Sequence, residues 1–422
     1  MSTFEQLGVK PELVRALHDL HIVEPTLIQE KAIPSALLGT DIIGISKTGS
    51  GKTAAFGVPL LCNITPGKGL QVLIVAPTRE LAVQISNELQ KFGRYLRVSI
   101  ATIYGGMSFN PQVDAIRKAD IIVGTPGRLR DHLDQRTMDL THITCAVLDE
   151  ADKMVEMGFI EDIDALLAPM PEHRQILLFG ATISSEIDRL KKRYMHNPQT
   201  MEAEVQVSDD LLEQYFYNVQ EYEKFSLLVH LLKKEQKGLV IIFCSRRSTV
   251  ETVTRNLRTQ GIRAEMIHGN LSQNKRLQVI EDFHKGKHNI MVASSVAARG
   301  LDIKDVTHIF NFDLSRDPQE YIHRIGRTAR AGESGKAITL LGSRDHDVFL
   351  EIISRYPVHV KELPLEEFPR LRFEVRRQED RYGGRSSYGR PQQGRYRSSS
   401  RSDGERREHR SGPSHIPRWQ RA

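Results

Sequence analysis

Two clusters of residues carry the clearest chemistry in the chain. The first is Ser46-Lys47-Thr48-Gly49-Ser50-Gly51-Lys52-Thr53, which follows an apolar run and opens a helical pattern. Glycines let backbone N–H groups turn toward phosphate oxygens, and a helix N-terminus adds a favourable partial charge. In that setting Lys52 reaches β- and γ-phosphates, and the Thr53 hydroxyl is a ligand for Mg²⁺. A strict phosphate loop has Gly where Ser46 stands, so the segment read alone also suits a glycine-rich turn. The second cluster is Val147-Leu148-Asp149-Glu150-Ala151-Asp152, an apolar run ending in adjacent carboxylates. Asp149 is placed to hold Mg²⁺ through water. Glu150 is placed to orient and deprotonate an attacking water. A phosphate loop and a carboxylate pair in one sheet predict a site for ATP and Mg²⁺.

Such residues need a scaffold that brings distant segments to one edge. Short β-branched runs at 41–45, 72–76, 98–103, 121–123, 145–148 and 176–179 alternate with amphipathic stretches such as 80–92. That alternation predicts a parallel sheet with helices on both faces. The pattern pauses across 199–210, a polar and acidic stretch that reads as a linker. A second series follows at 214–219, 239–243, 263–267, 289–293, 306–310 and 337–341. The expected organisation is an α/β chain of two tandem domains, 1–203 and 213–370, joined by a linker at 204–212. Two such domains form a cleft between them, a favoured place for a ligand.

Bulk properties narrow the class. The 422 residues are 39% hydrophobic, ordinary for globular domains, and no apolar run is long enough for a bilayer. The first residues carry no basic-then-apolar secretory pattern. Cys62, Cys145 and Cys244 match no zinc or redox spacing, and Cys145 and Cys244 lie in apolar runs. Buried, reduced thiols and a cytoplasmic protein are expected. The net charge of +6 is uneven. Residues 376–422 hold 13 Arg and five acidic residues, or +8, which leaves −2 for the first 375. From 371 onward, Arg, Gly and Ser predict a disordered tail, and Gly384-Arg385, Gly389-Arg390 and Gly394-Arg395 near tyrosines resemble RGG-like RNA-binding segments.

The motifs and their order closely resemble the DEAD-box family of RNA helicases, whose name is spelled by Asp149-Glu150-Ala151-Asp152. The resemblance spans about residues 4–365 and implies two RecA-like domains. Pro25-Thr26-Leu27-Ile28-Gln29, with Phe4 upstream, resembles the Q motif. It implies that Gln29 reads adenine and that Phe4 belongs to the nucleotide site, although His21-Ile22 replaces the family's Gly-aromatic pair. Pro77-Thr78-Arg79, Gly105-Gly106 and Thr125-Pro126-Gly127-Arg128 resemble first-domain RNA contacts. Gln273, Arg276 and Ser294 resemble second-domain ones. Backbone-directed contacts of this kind imply RNA binding with little sequence preference.

Gly180-Ala181-Thr182 stands where the family has Ser-Ala-Thr, so Thr182, with Asp152 and His323, is implied in coupling hydrolysis to strand separation. Asp302 is implied at the ribose, and Ser295 replaces a family acid. In His323-Arg324-Ile325-Gly326-Arg327-Thr328-Ala329-Arg330, Arg327 and Arg330 are three apart and point the same way on a helical turn. The resemblance makes them arginine fingers, which contribute about 10³–10⁵ in rate where measured. The implied activity is ATP hydrolysis coupled to RNA unwinding or RNA–protein remodelling, on a monomeric core without a membrane partner. An ATP-gated RNA clamp and a tail-driven annealing chaperone are the alternatives.

Overall fold

A computed structural model describes residues 2–375, apart from 47–48, 204–210, 235–237, 295–305, 330–333 and 357. The first sheet has seven parallel strands: β1 (Ile42–Ile45), β2 (Val72–Val75), β3 (Ile100–Ile103), β4 (Ile121–Gly124), β5 (Cys145–Leu148), β6 (Gln175–Gly180) and β7 (Gln199–Glu202). Its order is β3-β4-β2-β5-β6-β1-β7. The central strands are near-continuous apolar runs because helices cover both faces. Along β2, Val72 and Ile74 enter one core and Leu73 and Val75 the other, the two-residue period of a strand.

The second sheet has β8 (Leu212–Asn218), β9 (Leu239–Cys244), β10 (Glu265–Ile267), β11 (Ile290–Ser294), β12 (Val306–Asn311), β13 (Gly335–Leu341) and β14 (Lys361–Glu362). Its order is β10-β11-β9-β12-β13-β8-β14, the order of the first sheet with every number raised by seven. One winding is therefore used twice. In each copy the strand ends next to the central crossing become a shared ligand edge. Helices are held by ordinary local chemistry. The helix Arg79–Phe92 starts where Thr78 Oγ1 accepts the Leu81 N–H at 3.3 Å, and it buries Leu81, Ala82, Ile85, Leu89 and Phe92. Among the described residues no helix is long and apolar enough to cross a membrane.

The structure departs from the sequence expectation at three places. Strand β7 lies in the stretch read as a linker. It pairs with β1 at the sheet edge and is mostly exposed, so backbone bonds hold it and no apolar alternation marks it. Strand β8 begins at Leu212, the last residue assigned to the linker. Residues 371–374, expected in the tail, pack on the second sheet's layer. The Leu371 N–H donates to Ser226 Oγ and the Glu374 N–H to Asn256 Oδ1, both at 2.9 Å. Phe373 stacks obliquely on Phe225 with centroids 5.0 Å apart. Apolar residues alternating with charges hold this segment down. The Gly-Arg segments of the tail lie outside the described residues.

Candidate active site

The phosphate loop leaves β1 and enters the helix Lys52–Asn63. Gly49 and Gly51 have φ of 83° and 90°, the left-handed region that glycine enters without a steric cost. A Cβ on Gly51 would meet Gln29 Nε2 at 2.3 Å. Ser46, where the strict pattern has Gly, is fully buried, and its hydroxyl pairs with Ser50 Oγ at 2.8 Å. A serine is therefore accommodated because its hydroxyl has a partner. The buried Lys52 ammonium donates to the Ser46 carbonyl at 3.0 Å. Thr53 is half-buried on the first turn of the same helix. Lys47 and Thr48 lie outside the described residues.

The Q-motif residues serve this loop. Gln29 Nε2 donates to the Gly51 carbonyl at 3.0 Å, Gln29 Oε1 accepts the Thr26 N–H at 3.0 Å, and Thr26 Oγ1 donates to the Ser50 carbonyl at 2.8 Å. The amide thus fixes the loop, with one donor hydrogen still uncommitted. Phe4, expected at the nucleotide site, is 1% exposed within the core that also holds Leu13 and Leu17 of the helix Pro11–Asp19.

The carboxylates follow β5, beside the phosphate loop. Asp149, Glu150 and Asp152 are all buried. Burial pushes the Asp149 carboxyl up to about 7, against the pull of Lys52. Burial acts upward on Glu150 too, but Lys153, Lys52 and Arg327 together overcome it and hold that group at about 2. Two neighbouring buried carboxylates are thus driven apart in acidity by the different charges around them. Glu150 Oε1 lies 2.6 Å from Lys153 Nζ, while Oε2 is buried without a hydrogen-bond partner among the described residues. Asp152 faces the other way. Its Oδ2 accepts the N–H groups of Ala181 (2.9 Å) and Thr182 (3.2 Å), tying β5 to the turn after β6. A Cβ on Gly180 would stand 3.2 Å from Asp152 Oδ1, so a serine there requires a small shift.

The second sheet supplies the facing residues. Arg327 is 4% exposed. At Glu150 burial acts upward, and Arg327 adds to the larger lowering of the pKa by Lys153 and Lys52. At Lys153 burial is the main cause of a lowered pKa, and Arg327 adds to it. The arginine expected to act across the cleft is therefore already next to the carboxylate. His323 lies on the helix Pro318–Ile325. Arg324, to which the sequence reading gave no role, is 2% exposed. It donates to the Asp313 carbonyl, just past the end of β12, at 2.7 Å and lies 5.4 Å from the Phe243 ring. Its helix ends at Ile325, so Arg327 lies beyond the helix rather than on a helical turn as expected. Arg330 and Asp302 lie outside the described residues, as does Ser295.

The expected nucleic-acid contacts sit at the carboxyl ends of β2, β3 and β4. The Arg79 guanidinium lies over Gly105 and Gly106, where Cβ atoms would come within 3.2 and 2.5 Å of it. Arg128 donates to the Met107 carbonyl at 3.3 Å and lies 5.7 Å from the Phe109 ring. Thr125 and Gly127 flank it, half-buried, and Pro77, Thr78 and Pro126 begin helices beside them. Three motifs therefore form one rim. Across the cleft, Gln273 Nε2 donates to Glu80 Oε1 at 2.8 Å and Arg276 Nε lies 3.1 Å from the same oxygen. In the sequence Glu80 belongs to the motif Pro77-Thr78-Arg79-Glu80-Leu81 that resembles a first-domain RNA contact; in the structure it meets Gln273 and Arg276. Ser294 ends β11, 9% exposed. A cavity of about 930 Å³ opens at the opposite rim near Asp41, His142 and Arg174, lined by none of the site residues named above.

Comparison with known proteins agrees with this geometry. The DEAD/DEAH box helicase profile matches residues 26–190, and the helicase conserved C-terminal domain matches 223–332. The chain is 45% identical to the DEAD-box ATP-dependent RNA helicase CshA of Geobacillus kaustophilus over 348 residues, 82% of this chain and 74% of that one. This chain is a member of the DEAD-box ATP-dependent RNA helicase family. It is an ATP-hydrolysing helicase, and its paired sheets are the tandem RecA-like domains of that family. Saccharomyces cerevisiae Dbp5 bound to RNA and ADP BeF3 superposes with a TM-score of 0.77 at 30% identity, covering 86% of the helicase and 96% of Dbp5. A DEAD box protein from the hyperthermophile Methanococcus jannaschii gives 0.55 at 36% identity, covering 86% and 99%.

Proposed function

We propose that ATP binds the first domain, RNA lies along the rim of Arg79, Gly105, Gly106 and Arg128, and hydrolysis requires the second domain to bring Arg327 to the γ-phosphate. The observation that carries this reading is that Lys52, Glu150 and Arg327, from three separate segments, are all buried and that both cations act electrostatically on Glu150. The ordering of superposition, better on the RNA- and ADP BeF3-bound Dbp5 than on a more similar sequence, supports the same arrangement.

In this reading Lys52 leaves the Ser46 carbonyl for phosphate oxygens, and loop N–H groups complete the cradle. Glu150 Oε2, buried and without a partner among the described residues, accepts the proton of the attacking water. Arg327 stabilises charge spread over the transferred phosphoryl oxygens, and Arg330 joins it. Gln29 has a donor hydrogen left for the adenine edge. Asp302 is assigned to the ribose. The donor set fits Mg²⁺: Asp149 is a buried carboxylate whose ionisation burial opposes, and Thr53 offers a hydroxyl, both oxygen donors. The described residues form no cluster of three or more acidic, His or Cys ligands, which suits an ion that takes its remaining oxygens from phosphates and water. When bound, that ion neutralises phosphate charge.

Asp152, Thr182 and His323 link this site to the RNA rim. The RNA is held through its backbone by the rim with Gln273, Arg276 and Ser294, and a strand bent by closure cannot stay in a duplex. The basic tail from 376 adds sequence-tolerant contacts. The domain division at 203/213, a monomeric core and a cytoplasmic setting complete the reading. Single-turnover ATP hydrolysis tests it. Lys52→Ala, Glu150→Gln and Arg327→Ala should each lose at least about 10²-fold. A near wild-type rate in any of them removes that residue from its role.

A further inference from the structure

One cation in the site has no task in the mechanism above. Lys153 sits on the first turn of the helix Ala151–Glu156, three residues past Glu150. Pairs at this spacing normally lie on a helix surface and contribute a few tenths of a kcal/mol. Here both side chains are only 5% exposed, and the ammonium lies 2.6 Å from Glu150 Oε1. Burial disfavours the Lys153 ammonium and Glu150 opposes that effect, so each charge is tolerated because of the other.

The geometry around Glu150 makes its two oxygens unequal. Its backbone is held in the left-handed region at φ 53°, an uncommon conformation for a residue with a Cβ. Its N–H donates to Asp149 Oδ1 at 2.9 Å, so the chain fixes where the side chain begins. Lys153 then fixes where it ends. Oε1 is clamped, and Oε2 is left as the oxygen without a partner among the described residues.

We propose that Lys153 is a positioning residue for hydrolysis: its ammonium clamps Oε1 of Glu150 so that Oε2 is presented to the attacking water. This rests on Glu150 being the water-activating group. Lys153 acts only through Glu150 and touches no reacting atom. Arg327 reaches the same carboxylate from the second domain, so the clamp keeps Glu150 aimed when that charge arrives. Without the clamp, a buried carboxylate facing Arg327 turns toward the guanidinium and away from the water.

The test uses the full chain with RNA and measures kcat and KM for ATP, alongside thermal melting and affinity for a non-hydrolysable ATP analogue. Lys153→Met should lower kcat about tenfold or more while KM changes less than about twofold, because a lost orientation acts on the chemical step. Lys153→Arg should restore most of kcat. In the Glu150→Gln background, Lys153→Met should cost less than about twofold further, since both changes act on one group. Unchanged kcat in Lys153→Met overturns the proposal. So does a full further loss in the Glu150→Gln background, which marks a merely structural lysine. If Lys153→Met does not fold, Lys153→Gln takes its place under the same criteria. If Glu150→Gln itself hydrolyses ATP at the wild-type rate, the assignment of Glu150 fails, and the proposal fails with it for that separate reason.

Discussion

At the scale of residues, the site works by opposing burial with charge. Asp149 and Glu150 are chain neighbours in one buried setting, yet one is pushed up to about 7 and the other held at about 2. The difference is the cations: burial dominates at Asp149, while Lys153, Lys52 and Arg327 dominate at Glu150. Asp152 serves connection. Its carboxylate caps two N–H groups of the turn that carries Thr182. Asp152→Ala leaves those donors without a partner, a cost of about 1–3 kcal/mol each at most. The expected outcome is a smaller number of base pairs displaced per ATP hydrolysed, with ATP hydrolysis less affected, measured on a short RNA duplex. An unchanged ratio would remove Asp152 from coupling.

The candidate catalytic residues stand out at this scale because their proposed chemistry is tied to fixed spacing. A Lys after a glycine loop and a carboxylate pair ending an apolar strand have few other uses. What spacing cannot convey is which side chains a fold buries. Phe4 looked like a ligand contact and is core. Glu80, Lys153 and Arg324 had no individual role in the sequence reading, and all three are buried with partners. Their signal lies in contacts between segments far apart in the chain, which no local pattern contains.

At the scale of elements, strands of four apolar residues declared themselves, and the polar edge strand β7 did not, because an edge strand needs only one partner's backbone. Elements that carry no chemistry still position those that do. His132, fully buried on the helix Pro126–Asp134, stacks on Phe109 at 4.0 Å and pairs with Thr137 Oγ1 and Gln112 Oε1, holding the Arg128 helix against the next one. Burial first, and then Arg128, lowers its pKa from the ordinary 6.5. The folded state therefore takes the proton less readily than the unfolded chain. Its contribution to stability is complete above 6.5 and is lost as pH falls below that value. The slope of unfolding free energy against pH below 6.5 should be shallower in His132→Gln, and an equal slope would contradict this.

In the second domain, Asp345 caps the Leu314 and Gly342 N–H groups and pairs with the buried Lys224. Removing one partner of such a pair leaves a buried charge. Asp345→Ala should therefore lose about 3–5 kcal/mol in denaturant unfolding. A loss under about 1 kcal/mol, the range of a surface pair, would show that Lys224 finds water instead.

At the scale of the whole molecule, one strand order occurs twice, and each copy brings an edge of loops to the same cleft. The first contributes Lys52, Asp149 and Glu150. The second contributes Arg327, with Gln273 and Arg276 held on Glu80 across the cleft. On the proposed reading, catalytic residues divided between two domains make hydrolysis depend on closure, and RNA laid over both domains makes closure depend on RNA. The two affinities must then change by one common factor, because coupling free energy is reciprocal. The most direct test measures four equilibrium constants on the full chain: RNA with and without a non-hydrolysable ATP analogue and Mg²⁺, and the analogue with and without RNA. The account predicts that each ligand tightens the other by the same factor, about 5–150-fold, and that Arg327→Ala shrinks both factors together. RNA affinity that is indifferent to the analogue would contradict it.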